Sequence, residues 1–74
     1  MSKSQHVVSQ GDRWAVKAEG VAEPLAVFKT QSEAWEKAKA IARKERSEAI
    51  LHGRNGLIRA RSAYGYDLPR IKQP

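Results

Sequence analysis

One stretch of helical periodicity, from Thr30 to Arg46, lies between short runs that are typical of β-strands. The motif Thr30-Gln31-Ser32-Glu33 has the pattern of a capping box, in which the Thr30 hydroxyl accepts a hydrogen bond from the Glu33 amide. Apolar residues then recur at helical spacing, at Ala34, Trp35, Ala38, Ile41 and Ala42. The sequence therefore predicts one amphipathic helix that packs against the segments on either side of it.

The flanking segments have the pattern of short β-strands. Three such runs precede the helix, at residues 6–9, 13–19 and 25–29, and two follow it, at 48–52 and 57–62. Between the last two runs, Asn55-Gly56 predicts a type I′ turn with both residues at positive φ. We therefore expect an α+β domain of order βββαββ, with an antiparallel sheet and the helix packed on one of its faces.

Alternation also predicts which side chains are buried. Trp14 and Val16 share one face of their strand, because successive side chains of a strand point to opposite sides of the sheet. The expected core consists of the larger apolar residues of the helix and strands, namely Trp14, Val16, Val27, Ile41, Ile50 and Ile58.

Length and composition limit the classes of protein that this chain could belong to. A chain of 74 residues forms one domain, for which we expect a flexible N-terminus at 1–5, a folded part at 6–63 and a mobile tail at 64–74. The sequence has no cysteine, which excludes disulfides and thiolate metal sites and fits a reducing compartment. The first residues lack a long apolar run, so we expect a cytoplasmic protein without a signal peptide or membrane span.

The charge balance favours a polyanionic partner. The 14 Lys and Arg against 8 Asp and Glu leave a net charge of +6, much of it after His52. Strand alternation predicts that several of these cations share the sheet face opposite the helix, where they could contact DNA or RNA phosphates. The candidate nucleic-acid-binding residues are Arg13, Lys17, Arg54, Arg59, Arg61 and Tyr64, the last as a base-stacking ring. The alternative is that the charges only keep an exposed face hydrated.

The sequence does not indicate an enzyme. His6 and His52 have no His, Asp or Glu at ligand spacing, so we expect no metal, no cofactor and no catalytic residue. The loop Gly53-Arg54-Asn55-Gly56 lacks the ending of a phosphate-binding P-loop and precedes a strand, which favours a structural turn. A second hypothesis is a protein-interaction or homodimerisation module that uses an exposed sheet edge.

A series of short motifs resembles a family of small bacterial proteins of unknown function. The matching segments are His6-Val7-Val8, Trp14-Ala15-Val16-Lys17, the helix, His52-Gly53-Arg54-Asn55-Gly56-Leu57-Ile58-Arg59 and the stretch from Ser62 to Pro69. The family patterns are His-Val-Val-Pro, Gly-Trp-Ala-Val-Lys, Thr-Gln-x-Glu-Ala, His-Gly-Arg-x-Gly-x-Ile-Arg and Ser-Tyr-Gly-x-Asp-Pro. This chain departs from them at Ser9, Asp12-Arg13, Ala63 and Leu68. The resemblance implies a bacterial, single-domain protein, and it implies no activity, ligand or catalytic residue.

Overall fold

The computed structural model describes residues 3–64 of the chain. Residues 1–2 and all of the predicted tail at 64–74 except Tyr64 therefore lie outside the described residues. The elements in chain order are β1 (Gln5–Gln10), β2 (Arg13–Ala18), β3 (Ala26–Phe28), α1 (Gln31–Glu45), β4 (Glu48–His52) and β5 (Ile58–Ala63). The predicted βββαββ order is thus confirmed.

The five strands form one mixed sheet in the order β3-β2-β1-β4-β5. The prediction of a purely antiparallel sheet is wrong at its centre, where β1 and β4 pair in parallel, His6 opposite Ile50. Parallel neighbours need a long crossover, and α1 supplies it by carrying the chain from the edge strand β3 back to the free side of β1. The other three pairings are antiparallel.

Helix α1 begins and packs as its sequence predicts. The Thr30 hydroxyl accepts from the Glu33 amide at 3.2 Å, which satisfies one of the free N–H groups of the first turn. Ala34, Ala38 and Ala42 are fully buried. These small side chains, spaced one per turn, let the helix lie close to the sheet.

The core lies between α1 and the sheet face that it covers. Trp14 and Val16 are buried there with Val7 and Leu51, and Ile41 packs against them half-buried. The predicted burial is wrong for two core residues: Val27 is 43% exposed and Ile58 is 53% exposed. Both belong to edge strands and point away from the helix, on the side that we call the open face: Val27 pairs with Ala15, and Ile58 with His52.

Ile50 is buried for a different reason from the one predicted. It lies on the open face between His6 and Arg61, its neighbours on the adjacent strands, and it does not belong to the cluster beneath α1. Its 7% exposure shows that the side chains of the open face themselves cover part of the sheet.

A β-bulge interrupts the pairing of β4 with β5. Leu51 pairs with Ala60, whereas His52 pairs with Ile58, so Arg59 is an extra residue with no partner of its own. The bulge brings Ile58 to the open face in the place that simple alternation would give to Arg59. Arg59 is thereby turned toward the N-terminal end of α1.

The turn between β4 and β5 differs from the predicted type I′. Gly56 has a φ of 88°, but Asn55 is not at positive φ, so only one residue of the pair is left-handed. The Gly56 amide donates to the Gly53 carbonyl at 2.9 Å, and the Asn55 side chain accepts from the Leu57 amide at 3.1 Å. The second of these contacts is an Asx-turn, in which an Asn side chain hydrogen-bonds the backbone two residues on.

Candidate functional site

Three of the predicted nucleic-acid-binding residues lie on the open face. Lys17, His6, Ile50 and Arg61 form one row across four neighbouring strands. Lys17 and Arg61 are therefore separated by three strand spacings, about 14 Å. Arg13 lies on the same side of β2 as Lys17, four residues before it. These cations share the face with two carboxylates, Glu19 and Glu48.

The other two arginines lie elsewhere, which corrects the idea of one basic face. The bulge directs Arg59 toward α1, where its Nη1 donates to the Gln31 side-chain oxygen at 2.7 Å. Arg54 places its guanidinium 4.8 Å from the centroid of the Trp14 ring and donates to the Gly11 carbonyl at 3.1 Å. Both guanidiniums are thus fixed by uncharged acceptors.

Arg54 and Arg59 border an open cleft of about 510 Å³, which we call the turn cleft. Its lining residues come from β2, the start of α1, the β4–β5 turn and β5, and they are Trp14, Gln31, Gly53, Arg54, Asn55 and Arg59. None of these lining residues, all within residues 3–64, is a carboxylate. Each guanidinium uses one of its several N–H donors in the contacts above, so further donors are available for an anion.

Tyr64 is occupied by packing on the helix side of the sheet. It is partly buried against the core, and the Arg43 guanidinium lies 5.3 Å from the centroid of its ring. Its amide donates to the Ser47 carbonyl at 2.9 Å, which ties the end of β5 to the start of β4. The structure therefore does not bring Tyr64 together with the cations of the open face.

The open face carries a chain of hydrogen-bonding groups that sequence reasoning missed. The Nε2 atom of His6 lies 2.6 Å from Oε1 of Glu19, and its Nδ1 atom lies 2.9 Å from Nε2 of His52. The remaining ring nitrogen of His52 is 3.4 Å from the Gly56 carbonyl. We call this arrangement the histidine chain; it runs from the end of β2 through β1 and β4 to the β4–β5 turn.

The carboxylate of Glu19, at one end of the histidine chain, has a lowered pKa. The hydrogen bond from His6, together with the positive charge that this ring can carry, lowers the pKa of Glu19 below its ordinary value of 4.5. Glu19 is otherwise well exposed, so burial opposes this change only weakly. The carboxylate is therefore ionised at neutral pH and only accepts hydrogen bonds.

The contact between His6 and His52 was not predicted, because the two residues are 46 positions apart and no short motif links them. Their meeting depends on the parallel pairing of β1 with β4. A usable signal did exist, since both follow the open-face parity of their strands and Glu19 shares that parity on β2. Only the strand order was missing.

Metal-ligand groups and membrane-spanning helices are both absent from residues 3–64. No three His, Asp or Glu side chains in this part of the chain are grouped so that they could hold a metal ion. In the same part of the chain, no helix has the length and apolar character needed to cross a membrane.

These features define a small α+β domain with a mixed five-stranded sheet, one covering helix and a basic cleft at one end. Residues 5–64 match the family described as uncharacterised proteins conserved in bacteria (DUF2188), and the chain belongs to that family. The match includes both histidines and the whole turn cleft.

A curated relative adds a further comparison. The chain is 37% identical over 65 residues to the uncharacterised protein YdaT of Bacillus subtilis (strain 168). The aligned region is 88% of this chain and 43% of the relative, so the chain spans less than half the length of that protein. No solved structure matches the chain.

Proposed function

We propose that this domain is a non-enzymatic module that binds the phosphate backbone of nucleic acid, with the turn cleft as its anchor. The observation that carries the proposal is that Arg54 and Arg59 border one cleft and are both held by uncharged acceptors. Arginine recognises phosphate through paired N–H donors, and a preset guanidinium loses less side-chain entropy when it binds.

The cleft has a suitable size and setting for a phosphate group. Its volume of about 510 Å³ lies within the range of small-ligand pockets, roughly 300–1,000 Å³. Gln31 is the first residue of α1, so the partial positive charge of the helix N-terminus adds to that of the two arginines. No Arg54 or Arg59 salt bridge to a carboxylate of residues 3–64 competes with a ligand.

The cations of the open face would then act as a second, weaker contact. Arg13, Lys17 and Arg61 share that face with Glu19 and Glu48, so its local charge is much closer to balance. We expect such binding to be electrostatic and weakly sequence-specific, because the one helix within residues 3–64 packs on the sheet and does not project as a base-reading helix would. The cytoplasmic location expected from the sequence stays a prediction.

Binding is tested by fluorescence anisotropy with short single- and double-stranded DNA and RNA at about 50 and about 200 mM salt. Phosphate contacts release counterions, so the affinity should fall steeply between these concentrations. Failure to bind any of the four probes at low salt, or binding that ignores salt, would contradict the proposal.

Two double variants with equal loss of charge distinguish the cleft from the open face. The Arg54→Gln, Arg59→Gln protein should bind more weakly, with a log–log salt slope smaller by about 2. The matched control is Arg13→Gln, Lys17→Gln, which removes two cations of the open face and should have the smaller effect. The reverse order would move the anchor to the open face, and circular dichroism melts check that both proteins fold.

The second candidate function is association with another protein through a sheet edge. The specific observation in its favour is exposed apolar side chains beside both edge strands: Leu25 (57%) and Val27 (43%) at β3, and Leu57 (69%) and Ile58 (53%) at β5. An unpaired edge with apolar side chains favours addition of a further strand.

Light scattering coupled to size-exclusion chromatography tests the edge hypothesis. A dimer at micromolar concentration that becomes monomeric on Ile58→Lys would support it, because a charge at the edge opposes strand addition. Val27→Lys makes the same test of the β3 edge, so the variant that abolishes the dimer identifies the edge that pairs. A monomer at all concentrations would remove homodimerisation from consideration.

A further inference from the structure

The geometry of the histidine chain favours one protonation state of the two rings. The ring centroids of His6 and His52 are 5.2 Å apart, and their planes are inclined by 28°. With a nitrogen–nitrogen distance of 2.9 Å, that separation requires the rings to meet end to end through the two nitrogens. The contact is therefore an in-plane hydrogen bond, in which one nitrogen donates and the other accepts.

Counting N–H groups shows which protonation state fits. Each of the three contacts, from Glu19 to His6, from His6 to His52 and from His52 to the Gly56 carbonyl, needs one N–H. The carboxylate and the carbonyl only accept, so all three hydrogens must come from the two rings. Two neutral rings supply two N–H groups, and two charged rings supply four. Only the pair with one added proton supplies three.

The other two states each break a contact. Without the added proton, either the two facing nitrogens both present lone pairs or His52 presents a lone pair to the Gly56 carbonyl. With two added protons, an N–H of His6 faces an N–H of His52 at 2.9 Å, and two like charges are close together. Hydrogen bonding and charge thus select the same intermediate state.

We propose that His6 and His52 form a binding site for a single proton, which the two facing nitrogens share. Gain or loss of a proton relative to this state breaks the link between β1 and the β4–β5 turn. The arrangement is a pH-responsive device, because histidine is the side chain that ordinarily changes charge between about pH 5 and 8.

Charged side chains of β2, β4 and β5, and of the residue that follows β2, surround the two histidines on the open face. Glu19, beyond the end of β2, favours the added proton and touches His6 directly. Lys17 on β2 is the cross-strand neighbour of His6, and Arg61 on β5 pairs with Ile50 beside it; both oppose a second proton. Glu48 lies on the same side of β4, four residues before His52, and makes no ion pair among the described residues.

The β4–β5 turn connects this proton to the turn cleft. The Gly56 carbonyl receives the contact from His52, and the same turn carries Arg54. Loss of the shared proton should therefore weaken nucleic-acid binding, and this consequence rests on the proposed function. The proton site itself does not rest on that function, and it is tested without nucleic acid, so the two proposals can fail separately.

The direct test is nitrogen NMR of the full chain labelled with ¹⁵N-histidine, recorded from about pH 8 to about pH 5. The chain contains only 2 histidines, so every imidazole signal belongs to this pair. We expect two separate protonation steps, with an interval in which three of the four ring nitrogens carry hydrogen. A single common step, in which both rings behave as isolated histidines, would overturn the proposal.

A variant provides a second readout. His52→Gln keeps an amide that can hydrogen-bond to His6 and removes one titrating ring. The difference in melting temperature, wild type minus variant, should pass through a maximum as the pH is lowered. Only the singly protonated pair makes all three contacts. A difference that is flat or changes in one direction would contradict the proposal. If the variant does not fold, the NMR measurement on the natural chain decides by itself.

Discussion

Glu19 is an exposed carboxylate whose ionisation depends on one neighbouring ring. The hydrogen bond from His6 holds the pKa of Glu19 below 4.5, so the folded chain binds this proton less readily than the unfolded chain does. The contribution of Glu19 to stability is therefore complete above the pKa of the unfolded chain. It is lost as the pH falls through the lowered pKa of the folded chain.

The first prediction compares Glu19→Gln with the wild type in thermal melts from about pH 6 to about pH 3. The wild type should be the more stable protein at the upper end, and its advantage should shrink below pH 4.5. Glu23→Gln, at an exposed position of the β2–β3 loop, is the control and should show no such change. An advantage that is the same at both ends would mean that His6 does not stabilise the carboxylate.

One residue, Arg59, explains why the basic face predicted from the sequence is incomplete. Alternation alone places Arg59 and Arg61 on one face, but the bulge inserts Arg59 between two paired residues and turns it toward Gln31. A bulge adds one residue to one strand, and no residue type in 58–63 indicates where that residue lies. The position of the guanidinium is therefore a property of the β4–β5 pairing.

At the scale of elements, α1 ends at an unusual residue. Arg46 follows the helix with a φ of 57°, in the left-handed region that glycine adopts without a steric penalty. The Ser47 amide donates to the Ala42 carbonyl at 2.9 Å, which closes the last turn. The chain needs this tight end because β4 begins only three residues after α1.

The second prediction is that Arg46→Gly stabilises the domain by about 0.5 to 1 kcal/mol, since it relieves the left-handed strain. Equilibrium urea denaturation measures the change. The matched control is Lys44→Gly in the last turn of α1, where glycine only adds backbone freedom and should cost about 1 kcal/mol. Equal destabilisation by both substitutions would show that the Arg46 side chain contributes more than its backbone costs.

At the scale of the whole molecule, the core described within residues 3–64 contains few large side chains. Beneath α1 the largest buried residue is Trp14, which pairs with Phe28 and lies under the Arg54 guanidinium. The rest of the buried cluster is mostly valine and alanine. A domain of this size has a total stability of only about 4 to 11 kcal/mol, so one large residue can decide whether it folds.

The third prediction is that Trp14→Ala lowers the free energy of unfolding by about 3 to 5 kcal/mol and leaves much of the population unfolded at 37 °C. Trp35→Ala is the control, because Trp35 lies half-buried on α1 beside Lys39 and should cost less. Thermal melts followed by circular dichroism measure both. A normal melt for Trp14→Ala would refute the central place of this ring in the core.

The sequence by itself determined the features that depend on neighbouring residues. The capping motif at Thr30 and the alanine spacing defined α1, and alternation put Trp14 and Val16 on the buried face, because these patterns act over a few residues. Only the tertiary structure decided which strands are neighbours. The parallel pairing of β1 with β4 and the bulge at Arg59 arise from contacts between distant segments, and they bring His6 to His52 and Arg59 to Gln31.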